Sequence, residues 1–147
     1  MIKFIFSTLL LSTAAFAADF TNCLRFVGSY SRQIDNHDTF SSQGLKISAD
    51  LRNSTLELTF NSDLNPRDWR GWIETYIADG NPHSGDSNTG KTYLASCNGD
   101  KISIHREGLL LKPLITEVTL TDDQLNYLSF AEGSEPHATF MQLKRVQ

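Results

Sequence analysis

The chain has 147 residues, of which 39% are hydrophobic and 20% are charged, and 13 basic against 17 acidic residues give a formal net charge of −4. This length suits one domain with a buried core. Because charges of both signs are interspersed without a basic cluster, we expect neither nucleic acid nor an anionic membrane surface as a partner.

The first 17 residues have the pattern of an export signal. Lys3 gives a basic start, residues 4–11 form an apolar core, and residues 15–17 (Ala-Phe-Ala) are a small-x-small cleavage site. The core is shorter than the roughly 20 residues that a membrane span needs, although an uncleaved anchor is the alternative. We predict cleavage before Ala18, a periplasmic or secreted protein, and a single domain over residues 18–147.

The two cysteines are Cys23 and Cys97. In an exported chain such a pair most simply forms one disulfide, and two free thiols are the alternative. The chain has no Cys-x-x-Cys spacing, which argues against a redox-active pair.

Short strands account for the first half of the mature chain. We predict a first strand over residues 23–30, with Phe26, Gly28 and Tyr30 on one face, and then a long polar loop. Apolar and polar residues alternate over residues 45–50 and 55–60 around a turn. This pattern predicts an antiparallel hairpin with one apolar face.

Residues 69–77 are the most aromatic stretch of the mature chain. By the two-residue period of a strand, Trp69, Ile73 and Ile77 share one face, which we predict to be buried. Trp72 and Tyr76 then lie on the opposite face, together with charged side chains, and we predict that this face is exposed.

The second half continues in the same way. Asn98-Gly99 between two alternating runs is the strongest hairpin signal in the chain. Residues 109–111, three leucines, are predicted to be a buried crossing or edge segment. Further strands are predicted over residues 114–120, 125–130 and 139–146.

These patterns predict eight to ten short strands in up-and-down order and no helix outside the signal. We therefore expect an all-β, antiparallel up-and-down barrel, because closure removes the edges that an open sheet exposes. An open sandwich or jelly roll is the alternative.

Gly28-Ser29-Tyr30 on the first strand, with Arg145 near the end of the last, resembles a motif of the lipocalin and avidin-like (calycin) barrels. In that superfamily a Gly-x-Trp on the first strand packs against a basic side chain from the final strand and closes one end of the barrel. The resemblance implies that Gly28 is a close-approach glycine, Tyr30 the aromatic residue and Arg145 the stacking cation. The chain departs from the motif in having Tyr for Trp and in lacking the mid-chain Thr-Asp-Tyr signature. The chain also resembles small bacterial exported proteins of lipocalin-like form.

No residue pattern indicates a metal site, a cofactor or catalysis. The four histidines have no i,i+2 or i,i+4 spacing, which metal ligands on one element would show. The chain also lacks a nucleophile elbow and a phosphate-binding glycine loop. We therefore favour a binding protein, and the alternative is an enzyme, because barrels of this type occasionally host isomerase or cyclase chemistry.

The barrel interior is the natural binding site, and its side chains either line an apolar cavity or fill the barrel. The leading hypothesis is a small apolar ligand held by inward-facing residues, namely Leu58, Phe60, Trp69, Ile73, Ile104 and Met141. The alternative is a protein-binding module, an inhibitor or envelope-associated factor, that uses its loops or an exposed face with Trp72 and Tyr76.

Overall fold

The computed structural model describes residues 20–32, 42–62 and 72–146. These residues contain two short 3₁₀ helices, Phe20–Phe26 and Glu135–His137, and ten strands. The strands are β1 (Gly28–Arg32), β2 (Ser42–Asp50), β3 (Thr55–Ser62), β4 (Trp72–Ile77), β5 (Pro82–Ser84), β6 (Thr92–Asn98), β7 (Lys101–Glu107), β8 (Leu114–Thr121), β9 (Gln124–Ala131) and β10 (Thr139–Arg145). In the part of the chain that is described, no helix is long and apolar enough to cross a membrane.

The ten strands form one antiparallel sheet that curls into a nearly closed barrel. Neighbours in the chain pair with each other, and β1 also pairs with β10, so the two edges of the sheet are β4 and β5. Two side chains form hydrogen bonds with the backbone of the edge strand β4. The Tyr93 hydroxyl accepts from the Ile77 amide at 3.0 Å, and the Asn88 side chain donates to the Ile73 carbonyl at 3.0 Å. The predicted all-β, up-and-down barrel is confirmed.

Two predicted hairpins are confirmed, and the turn of the second lies one residue later than predicted, at Gly99 and Asp100. In the β2–β3 hairpin, Leu45 is paired with Phe60 and Ile47 with Leu58. In the β6–β7 hairpin, Asn98 is paired with Lys101, so the turn has two residues. Gly99 adopts φ = +57° in that turn, a left-handed conformation that glycine reaches without steric cost.

The predicted first strand is wrong over its first half. Residues 20–26 form a 3₁₀ helix, and β1 begins only at Gly28. A 3₁₀ helix has three residues per turn, so Phe20, Cys23 and Phe26 lie on one face, and all three are buried. The two-residue period applied to this segment missed the three-residue spacing of its apolar side chains.

The predicted disulfide is confirmed. Cys23 is bonded to Cys97 at the end of β6, and the two Cα atoms lie 5.2 Å apart. The bridge closes a loop across 74 positions of the chain and fixes the 3₁₀ helix against the barrel. Arg25 adds a hydrogen bond of 2.9 Å to the Gly99 carbonyl, so the helix covers the barrel end where the β6–β7 turn lies.

The predicted faces of β4 are reversed. Glu74 and Tyr76 are buried inside the barrel, whereas Ile73 and Ile77 lie on the outer face and are 43% and 37% exposed. The prediction assumed that the more apolar face is the inner one. The polar pair is instead inside because Glu74 has a cationic partner there, as described below.

Candidate functional site

The barrel interior is divided into a filled half and an open half. In the half next to the 3₁₀ helix, inward side chains of most strands pack into a continuous apolar core, including Ile47, Leu56, Leu58, Ile102, Ile104, Val118, Leu120 and Leu125. Along β7 the inward series then changes from Ile102 and Ile104 to Arg106, which is also buried. Arg106 belongs to a polar layer that also contains Glu74, Thr116 and Ser129, and this layer is the boundary between the core and a cavity.

The cavity has a volume of about 450 Å³. This volume is within the usual range of small-molecule sites. Its apolar lining is Phe60, Trp72, Leu109, Leu110, Leu114 and Met141, and its polar lining is Glu74, Asn88, Arg106, Tyr127, Ser129 and Thr139. Phe60 and Tyr127 meet edge to face, with ring centroids 5.5 Å apart. The site therefore combines an apolar wall with a small set of polar groups.

Glu74 and Arg106 form a buried ion pair in this wall. Nη1 of Arg106 donates to Oε1 of Glu74 at 2.9 Å, and the two side chains are only 4% and 6% exposed. Glu74 also accepts from the indole N–H of Trp72 and from the hydroxyl of Tyr76, each at 2.7 Å. Three donors thus converge on the two oxygens of one carboxylate, which compensates for its removal from water.

Arg106 continues the polar layer on its other side. Nη2 donates to the Thr116 hydroxyl at 2.8 Å, and Thr116 in turn lies 3.0 Å from the Ser129 hydroxyl. The third nitrogen of Arg106, Nε, is buried and has no hydrogen-bond partner among the described residues. The guanidinium is therefore held in place from two sides.

This environment shifts the proton affinities of three side chains. Burial and the nearby Glu74 carboxylate raise the pKa of the Tyr76 phenol far above its usual range. The same two causes raise the pKa of Tyr127. For Arg106, burial is the largest single influence and works against the charged form, but Glu74, Tyr76 and Tyr127 together outweigh it and the pKa is raised. Both phenols are thus kept neutral and the guanidinium charged.

Exposed apolar side chains stand at the mouth of the cavity. Trp72 is 52% exposed although its indole N–H reaches Glu74, so its ring is at the boundary between cavity and solvent. Leu109 and Leu110 line the cavity from the β7–β8 loop, and Leu111 is fully exposed. The prediction that these leucines form a buried segment is therefore wrong.

The predicted ligand-binding residues are dispersed. Phe60 and Met141 line the cavity, whereas Leu58 and Ile104 belong to the filled half. Ile73 is on the outer surface. Trp69 lies outside the described residues. Of the predicted partner-binding pair, Trp72 is at the cavity mouth, and Tyr76 is fully buried, so the two do not form an exposed aromatic face.

The polar residues of the site were missed because none of them belongs to a recognised motif. Arg106 has the same parity as Ile102 and Ile104 on β7, and Thr116 the same parity as Val118 on β8. The available signal was that Arg106 continues the series of inward apolar residues on β7. A buried arginine needs a buried counter-charge, and because the faces of β4 were assigned in reverse, Glu74 was predicted to be outside the barrel.

The Tyr30–Arg145 relationship lies at the filled end of the barrel. The Arg145 guanidinium carbon is 5.3 Å from the centre of the Tyr30 ring, and Nη2 donates to the Tyr30 hydroxyl and to the Arg25 carbonyl. A Cβ atom at Gly28 would lie 3.6 Å from Arg145 Nε, an ordinary contact. Close approach therefore does not require glycine there, whereas its φ of +157° disfavours other residues.

No protein-family model matches the sequence, and no curated protein matches it. Solved structures share its fold. A chain named REP1-NXSQ fatty acid transporter aligns with a TM-score of 0.59 and 10% identity over 84% of this chain and 98% of its own. A mutant of the fluorescent protein UnaG aligns with a TM-score of 0.56 and 13% identity, over 83% of this chain and 96% of its own.

A third structure, secretory abundant heat soluble protein 4 from Ramazzottius varieornatus, aligns with a TM-score of 0.55 and 10% identity, over 83% of this chain and 95% of its own. At these identities the likeness concerns the fold alone. The fold is consistent with the predicted lipocalin-like barrel, and it extends over most of the chain in all three comparisons.

Proposed function

We propose that this protein binds a small apolar molecule in the open half of its barrel. The observation that carries the proposal is the cavity of about 450 Å³ beside a barrel half in which the inward side chains form a continuous apolar core. A barrel that served only as a scaffold would gain stability from filling both halves, because each buried apolar Å² contributes roughly 25 cal/mol. The similarity to a chain named as a fatty acid transporter supports this choice.

The lining suits an elongated or planar apolar ligand with one polar end. Phe60, Met141 and Leu114 supply apolar contact area, and the exposed Trp72 and Leu110 extend that area to the mouth. The polar layer at Arg106 is in the same wall. Apolar burial then provides most of the affinity, while the few polar groups orient the ligand.

We propose further that the protein acts after export, in the periplasm or outside the cell. The signal pattern of residues 1–17 and the Cys23–Cys97 disulfide support this location, because disulfides persist in oxidising compartments. The mass of the protein purified from the bacterial periplasm tests it. A chain that begins at Ala18 and is 2 Da lighter than its reduced form agrees with the proposal, and an intact Met1 contradicts it.

The binding proposal is tested by filling the cavity. Met141 lines the cavity on β10, and its neighbour Phe140 is on the outer face of the same strand, 52% exposed. The experiment compares Met141→Trp with the matched control Phe140→Trp, both titrated with the uncharged dye Nile red. We expect the unaltered protein and Phe140→Trp to bind the dye and to enhance its fluorescence, and Met141→Trp to bind it at least tenfold more weakly.

Equal binding by all three proteins would place the dye elsewhere and contradict the proposal, as would no binding by the unaltered protein. Circular dichroism and thermal unfolding show whether each variant is folded. Native mass spectrometry of the protein as purified then identifies any ligand that remains bound.

A further inference from the structure

The charge of the cavity indicates which kind of apolar molecule it accepts. Among the described residues that line it, Arg106 is the one cation and Glu74 the one anion. Their charged atoms are 2.9 Å apart. These described residues therefore contribute no net charge to the lining, and the Arg106 cation is already paired before any ligand enters.

The carboxylate oxygens of Glu74 and the terminal nitrogens of Arg106 already form hydrogen bonds within the protein. Glu74 accepts three, from Arg106, Trp72 and Tyr76. Both terminal nitrogens of Arg106 donate within the protein, and Nε, which has no partner among the described residues, is closed to solvent. A ligand carboxylate that approaches Nη1 therefore competes with the Glu74 carboxylate for the same nitrogen.

A carboxylate in the cavity would also face the Glu74 carboxylate. Two like charges that share a site of low polarity repel each other strongly. The other polar groups that the described residues contribute to the lining are uncharged, namely the hydroxyls of Tyr127, Ser129 and Thr139, and the amide of Asn88. Hydroxyls both donate and accept, so they suit a ligand hydroxyl or carbonyl.

We propose that the ligand is an uncharged amphiphile, an apolar chain or ring system that carries a hydroxyl or carbonyl, and that Glu74 excludes its carboxylate counterpart by neutralising Arg106. This inference rests on the proposed function. Glu74 is then a specificity residue. Arg106 holds the hydroxyls of the polar layer in place, and Glu74 removes the attraction of Arg106 for anions.

The test compares two ligands of equal chain length, dodecanol and dodecanoate, by displacement of Nile red at neutral pH. The carboxyl group of dodecanoate is ionised at this pH. In the unaltered protein we expect dodecanol to bind at least tenfold more tightly than dodecanoate, a difference of about 1.4 kcal/mol.

Glu74→Gln then removes the negative charge and keeps an oxygen that can accept hydrogen bonds. We expect this variant to bind dodecanoate about tenfold more tightly than the unaltered protein does, so that the preference for the alcohol is lost. The matched control is Glu117→Gln, which removes the same charge from an outward residue that pairs with Lys101 at 3.1 Å. We expect this control to keep the preference.

Tighter or equal binding of dodecanoate by the unaltered protein would overturn the inference, even with the proposed function intact. An unchanged preference in Glu74→Gln would overturn the role of Glu74. If Glu74→Gln does not fold, the relative affinities of the unaltered protein for dodecanol and dodecanoate still test whether the cavity prefers an uncharged ligand. If neither ligand nor Nile red binds, the proposed function fails together with the inference.

Discussion

Arg106 on β7 donates a 2.9 Å hydrogen bond to Glu74 on β4, although the two residues are 32 positions apart and their strands share no backbone pairing. The bond extends across the barrel interior from one edge strand of the sheet. It links two parts of the wall that the β-ladder does not join, and it separates the packed core from the cavity.

Loss of the cation alone is expected to be costly. Arg106→Met leaves the Glu74 carboxylate buried without a counter-charge, and we expect a loss of about 3–5 kcal/mol in the free energy of unfolding. The double variant Glu74→Leu/Arg106→Met removes both charges, so we expect it to be more stable than Arg106→Met. Urea unfolding measures both. The control is Lys101→Met, which breaks an exposed pair and should cost less than about 1 kcal/mol.

The buried phenols make stability depend on alkaline pH. The pKa values of Tyr76 and Tyr127 are raised in the folded state above the usual 10.0, so both states are protonated below that pH and stability is unaffected. Above it the unfolded chain loses these protons and the folded chain keeps them, so the free energy of unfolding falls as pH rises.

Phenolate absorbance during an alkaline titration checks this expectation. The signals of the two residues should develop only together with unfolding, as followed by circular dichroism. In Tyr76→Phe the part that belongs to Tyr76 should be missing. Ionisation of both residues in a chain that is still folded would contradict the burial described here.

Reduction of the disulfide is expected to weaken the filled end of the barrel. Cys23–Cys97 closes a loop across 74 positions, for which loop-closure entropy predicts a stabilisation of about 4 kcal/mol. The double variant Cys23→Ala/Cys97→Ala should lose about that amount in urea unfolding. Reducing agent should have no effect on this variant but should destabilise the unaltered protein, and equal sensitivity of the two proteins would argue against the assignment.

The contact of Arg145 with Tyr30 depends on the shape of the guanidinium. Arg145→Lys keeps the charge, but an ammonium cannot stack on the Tyr30 ring while it bonds both to the phenol and to the Arg25 carbonyl. We expect a loss of about 1 kcal/mol in unfolding free energy. Lys144→Arg, on the exposed neighbour, is the control and should be neutral within measurement error.

Alternation and turn residues were sufficient to predict much of the fold. Leu45, Ile47, Leu58 and Phe60 alternate with polar residues, and the hairpin with one apolar face followed from that alternation. Asn98-Gly99 indicated the second hairpin for a similarly local reason, although the two turn residues are Gly99 and Asp100. The disulfide was predicted from the number of cysteines and from the export signal pattern of residues 1–17.

Local patterns failed where the environment of a residue is made by distant parts of the chain. On β4, Ile73 and Ile77 have the stronger local preference for burial, and only a counter-charge from β7 makes it favourable to bury Glu74 and Tyr76 instead. The 3₁₀ helix at Phe20–Phe26 similarly depends on its disulfide partner and on the barrel end that it covers.

The sequence by itself determined that the chain forms an all-β barrel with a disulfide, because strand period, turn chemistry and cysteine count are local or additive properties. Only the tertiary structure decided that half of the interior is filled and half is open, and that the boundary is an ion pair. The same alternation of inward residues serves a packed and a hollow barrel. Which of the two forms depends on side-chain volumes and charges that meet across the barrel, not along a strand.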